Sequence, residues 1–121
     1  MEEFYKFALR LGAQKYGFDL HRTKFLLHTD RKVAPENVLR GANISYRMRR
    51  AIPVKHGDKT KFEEEKIDVV SIKTDRRINR NTVVVSVHFV WSRTTSRRFT
   101  FVLEKKKGRI VLIRELRNAA V

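Results

Sequence analysis

Between residues 83 and 91, Val83, Val85, Val87, Phe89 and Trp91 alternate with Val84, Ser86, His88 and Val90. A period of two, rich in β-branched residues, is the pattern of a strand that lays one face on a core. The pattern then recurs. Past a bend at Thr94-Thr95, Phe99, Phe101 and Leu103 share a face; past Lys106-Lys107-Gly108, a last apolar run covers Ile110 to Leu116. Turns this short can join only antiparallel neighbours. The last three strands are therefore expected to form a meander, and the rest of the chain must cover its apolar face.

Upstream the period differs. Phe4, Phe7, Ala8 and Leu11 fall at helical spacing, and Tyr5, Leu9 and Tyr16 widen the stripe. Glu2 and Glu3 suit the first turn of a helix over 2–17, Lys15 its last turn, and Gly17 its stop. The aromatic stripe reads as core packing in preference to a ligand surface. Leu20, Phe25, Leu26 and Leu27 fit a short helix or strand, and Pro35 to Gly41 fits a second short helix. From 43 onward the period of two returns. Ile44, Tyr46 and Met48 alternate with Ser45, Arg47 and Arg49; His56-Gly57-Asp58-Lys59 reads as a turn; Lys66 to Thr74 reads as a strand. The polar stretch Asp75 to Asn81 reads as the connection to the Val83 strand. The expected fold class is α+β: an N-terminal helix or helices packed on a curled antiparallel β-meander of four to five strands. It forms one domain over 1–121, with 1–42 mainly helical and 43–117 an antiparallel sheet.

Composition narrows what such a fold can do. The chain of 121 residues has no cysteine, which excludes disulfides, thiolate nucleophiles and sulfur-based zinc sites. Its opening, Met1-Glu2-Glu3, lacks the basic and apolar pattern of a signal peptide. The longest apolar run is far short of the roughly 20 residues that a membrane-spanning helix needs. An intracellular, cytoplasmic setting is expected, or a membrane-peripheral one within a larger assembly. Lys plus Arg number 28 against 13 Asp plus Glu, a net charge of +15. The excess is uneven: residues 76–117 hold twelve basic and two acidic side chains, residues 1–75 sixteen and eleven. Clustered positive charge of this size attracts polyanions: nucleic acid, anionic membrane or an acidic protein.

A helical start followed by long antiparallel strands resembles the cystatin-like and nuclear-transport-factor-two-like group of folds. The resemblance rests on Tyr5 and Phe7, on the Val83–Trp91 strand, and on the ending Phe99-Thr100-Phe101-Val102-Leu103 with Gly108-Arg109-Ile110-Val111-Leu112-Ile113. Within that group the pattern is most similar to small assembly domains of conjugative type IV secretion and to the import-motor anchor domain of mitochondria. It implies a structural subunit of a membrane-associated assembly. Enzymes of the group keep paired acids and a Tyr or His in the concave pocket of the sheet, a set that maps onto no residues here.

Four constellations could carry chemistry. In a meander, connections two apart lie at the same end of the sheet. Arg76, Arg77 and Arg80 should therefore meet Lys105, Lys106, Lys107 and Arg109, while Arg93, Arg97 and Arg98 mark the opposite end. Guanidinium forks and ammonium groups both pair with phosphate oxygens, and no acids offset this cluster locally. The plainer reading is a solvated basic rim. Arg47 and Arg49 alternate with Tyr46 on a second basic strand; the alternation puts Tyr46 and, by the same logic, Trp91 in the core and not against a base. His21, His28, His56 and His88 are scattered without metal-ligand spacing. Glu63-Glu64-Glu65 and Asp68 read as counter-charge to Lys59, Lys61 and Lys66. No phosphate loop or nucleophile elbow occurs. The expectation is a non-enzymatic domain with no cofactor or metal, contacting RNA or DNA mainly through phosphates. An acidic protein or an anionic membrane is the alternative partner, and a strand edge would allow a homo-oligomer.

Overall fold

The computed structural model of the chain describes residues 1–20, 25–30, 33–41, 68–90 and 96–116. The expected strand bearing Tyr46, Arg47 and Arg49, the turn at 56–59 and the acids 63–65 lie outside the described residues. So do His21, His56, Trp91 and Arg93.

Helix α1 spans Glu2–Tyr16 and ends at Gly17, whose φ of 79° is the left-handed conformation that glycine adopts without steric cost. Its buried side is Phe4, Tyr5, Ala8, Leu9, Gly12 and Ala13, with Phe7, Leu11 and Tyr16 on the flank. The apolar stripe is thus rotated toward Tyr5 and Leu9. Gly12 sits where the helix crosses the sheet: a Cβ there would lie 3.1 Å from the Phe89 ring.

Strand β1 (Phe25–Thr29) follows, then helix α2 (Pro35–Gly41) and strands β2 (Asp68–Asn79), β3 (Thr82–Val90), β4 (Ser96–Lys106) and β5 (Arg109–Leu116). They form one open mixed sheet in the order β1-β2-β3-β4-β5. The meander β2 to β5 is antiparallel throughout. Of the two readings open for Leu20 to Leu27, short helix or strand, the chain forms a strand over Phe25–Thr29. One expectation is corrected here. The sheet is not wholly antiparallel, because β1 pairs with β2 in parallel. Residues 30–67 separate those two strands, long enough for the crossover that a parallel pair requires. A second correction concerns Asp75 to Asn81, expected as the connection to the next strand. Strand β2 runs on to Asn79, with irregularities at Thr74/Arg76 and Arg77/Asn79, and only Arg80 and Asn81 form the turn.

The core lies between α1 and one face of the sheet. Val83, Val85, Val87 and Phe89 of β3 meet Val70 and Ile72 of β2 and Phe99, Phe101 and Leu103 of β4; Phe25, Leu27, Val33 and Val38 close its far side. A polar network ties the helix to the first bulge. The Tyr5 hydroxyl donates to the Asp30 carboxylate at 2.7 Å and meets Thr74 Oγ1 at 2.8 Å, while the Thr74 backbone N–H donates to Asp30 at 3.0 Å. Burial above all, joined by the Asp30 carboxylate, outweighs the Thr74 hydrogen bond and pushes the Tyr5 phenol well up, so it stays a neutral donor. The bulge at Thr74 is therefore pinned from the core side, and its direct consequence is where Arg76 points.

Candidate polyanion-binding surface

The turn Arg80-Asn81 and the turn Lys107-Gly108 lie at one end of the sheet, joined by a hydrogen bond from the Lys105 N–H to the Asn81 carbonyl at 2.8 Å. Each turn is locally fixed. Arg77 Nη1 donates to the Arg80 carbonyl at 3.0 Å, and the Asn81 N–H donates to Asn79 Oδ1 at 2.9 Å. Lys107 and Gly108 both have positive φ, 50° and 78°, the signature of a type I′ hairpin turn, whose twist matches that of its strands. Neither hairpin tip can drift from the other without breaking the Lys105–Asn81 bond.

This end displays Arg76, Arg77, Arg80, Lys106, Lys107 and Arg109, all exposed. Lys106 stands directly opposite Arg109 in the ladder, a like-charge pair that works against the hairpin. Glu104 partly offsets this, reaching Lys106 at 3.4 Å. Among the described residues no carboxylate lies within ion-pairing distance of Arg76, Arg80, Lys107 or Arg109. These four exposed cations gain nothing from one another and carry their charge into solvent.

Lys105 departs from this group. Its register partner Ile110 and its neighbour Leu103 face α1, and its ammonium pairs with Glu3 at 2.9 Å. Lys105 in turn lowers the Glu3 carboxyl below its usual range, through its hydrogen bond first and its charge second. Its side chain thus bridges sheet and helix. Arg97 and Arg98 stand at the opposite end, as their register with Phe89 and His88 requires. The Arg97 guanidinium lies 5.2 Å from the centroid of the Phe99 ring, a cation–π contact that holds it against the core edge.

On the sheet face turned away from α1, Val84 and Val102 are buried, 2% and 6% exposed, and exposed arginines flank them. Register aligns Arg76, Val84, Val102 and Arg114 in one row across four strands. At roughly 4.8 Å per strand, the two arginines are about 14 Å apart. Arg114 is a site residue that sequence reasoning misses. The irregularity at Val102/Leu103 shifts the phase of β5 and moves Arg114 to that face. Beside this row, Ser86 Oγ donates to Asp75 at 2.6 Å and meets Thr100 Oγ1 at 2.9 Å. Asp75 also reaches Lys73 at 3.9 Å, so the acid nearest Arg76 is already engaged.

His88 occupies the same face. Its Nε2 is shielded from solvent and without a hydrogen-bond partner. Burial, then Arg98 and Lys73, lower its pKa below the ordinary value. As the pH falls through that ordinary value, about 6.5, the unfolded chain takes up the proton first. The contribution of this site is therefore complete above the ordinary pKa and shrinks as the pH drops toward the folded one. Between pH 7.5 and 5.5 the urea midpoint should fall, and by less in His88→Gln. Equal falls in both proteins would remove His88 from the account.

Among the described residues no group of His, Asp and Glu is arranged to hold a metal ion, and no helix is long and apolar enough to cross a membrane. Comparison with protein-family models, with curated proteins and with solved structures found no match to this chain.

Proposed function

We propose that this chain is a non-enzymatic binding domain that grips nucleic acid by its phosphates, using the double-hairpin end of the sheet. One observation carries the reading. Two hairpin tips, joined by the Lys105–Asn81 hydrogen bond, hold Arg80, Lys107 and Arg109 together with Arg76 on a fixed rim, and no described carboxylate pairs with them. Guanidinium and ammonium groups so placed need a dense, regular array of anions, which a phosphate backbone supplies. Arg114, in register with Arg76, widens the contact.

The test is fluorescence anisotropy of labelled single- and double-stranded DNA and RNA, titrated from about 50 to 300 mM salt. Phosphate contacts release condensed counterions, so log affinity should fall linearly with log salt, with a slope of roughly −4 to −6 on duplex DNA. Anionic vesicles form the second arm. The resemblance to assembly domains implies a basic face turned to anionic lipid or to an acidic partner. Tight vesicle binding, with weak and equal binding to every nucleic acid, would replace the nucleic-acid reading with that one.

A further inference from the structure

Ile78 is 50% exposed, the highest value among the large apolar side chains described, ahead of Ile113 at 47% and Leu112 at 37%. It lies on β2 at the second irregularity, between Arg77 and Asn79, two residues before Arg80. The backbone around it is held by the Arg77–Arg80, Asn81–Asn79 and Lys105–Asn81 hydrogen bonds. An isoleucine is thus presented on a stiff rim with Arg76, Arg77 and Arg80 beside it. A singly exposed isoleucine is ordinary on a protein surface; this one is set apart by the arginines around it. In a polyanion that these arginines attract, the apolar component is the base stack. An apolar side chain gains only if it reaches that stack and leaves water.

Resting on the nucleic-acid reading above, we infer that the β2–β3 tip enters the minor groove of a DNA duplex. Ile78 presses there as a wedge against a base step, and Arg76, Arg77 and Arg80 hold the flanking phosphates. Such a wedge unstacks and bends DNA, at a cost that depends on how readily the step opens. The preferred ligand is therefore duplex DNA with a weakened stack, such as one carrying a mismatch or a nick.

The experiment uses a duplex of about three helical turns, matched or with one central mismatch, labelled at both ends for energy transfer and at one end for anisotropy. The full chain should bind the mismatched duplex several-fold more tightly and bring its ends closer. Ile78→Ala should lower affinity for that duplex about tenfold, because a partly exposed side chain no longer buries apolar surface against the bases. It should abolish the change in energy transfer and leave the salt slope as it was. Ile78→Phe, a larger wedge, should retain the bending. Since Ile78 is half exposed, Ile78→Ala is expected to fold, and circular dichroism checks this. If wild type and both variants bind the two duplexes equally, with one salt slope and no bending, phosphate binding stands and the wedge is wrong. If none of them binds DNA, the wedge falls, and the phosphate reading falls with it only if RNA also goes unbound.

Discussion

Phe89→Ala should lower the free energy of unfolding by about 3 to 5 kcal/mol, out of the roughly 5 to 15 kcal/mol that folded domains commonly have. Phe89 is 1% exposed and central to the core. Its ring lies 5.1 Å from that of Tyr16, 5.3 Å from Phe18 and 6.1 Å from Phe99, so one side chain joins the end of α1 to β3 and β4. The vacated space cannot close easily. Gly12 already brings the helix backbone against the ring, and the neighbouring strands are locked in register. Phe89→Leu keeps much of the volume and should cost about 1 to 2 kcal/mol. Urea denaturation of the three proteins measures this. A Phe89→Ala variant within about 1 kcal/mol of wild type would mean that α1 does not dock on β3 as described.

The same residues show what the sequence makes legible. Val83 to Phe89 declare a strand because their alternation is unbroken, and β4 and β5 follow from the turn chemistry between them. Strand β1 is harder to read: in Phe25-Leu26-Leu27-His28-Thr29 four of five side chains are buried, and a strand covered on both faces carries no alternation. The run Asp75 to Asn79 looks like a loop because irregularities after Thr74 and Arg77 reset the phase twice. Arg76 and Arg77 are therefore strand residues, with backbones fixed by the ladder. The placement of Lys105 is legible in principle. The series Phe99, Phe101, Leu103 continues onto it by simple alternation, and Glu3 in the first turn of α1 waits for it. Arg114 is not, since the irregularity opposite Ile113 leaves no mark in the sequence.

Replacing Arg76, Arg80, Lys107 and Arg109 together by Gln should reduce affinity for duplex DNA on the order of a thousandfold near 0.1 M salt. The salt slope should flatten by about 3.6, because each of the four phosphates left without its cation takes roughly 0.9 from it. Folding should not suffer. Without a described carboxylate partner these side chains add little to stability, and dropping four like charges relieves repulsion in a chain of net charge +15. Binding and stability should therefore move in opposite directions, which separates a disabled site from a damaged fold. A second variant carries the same change in net charge elsewhere: Lys6, Arg10 and Lys15 on α1 and Lys73 on β2, all to Gln. If the cations act as a fixed array, this control loses less than about tenfold in affinity and most of its slope survives. If the two variants weaken binding equally, the overall field of the protein attracts the polyanion and the double-hairpin rim is not a site.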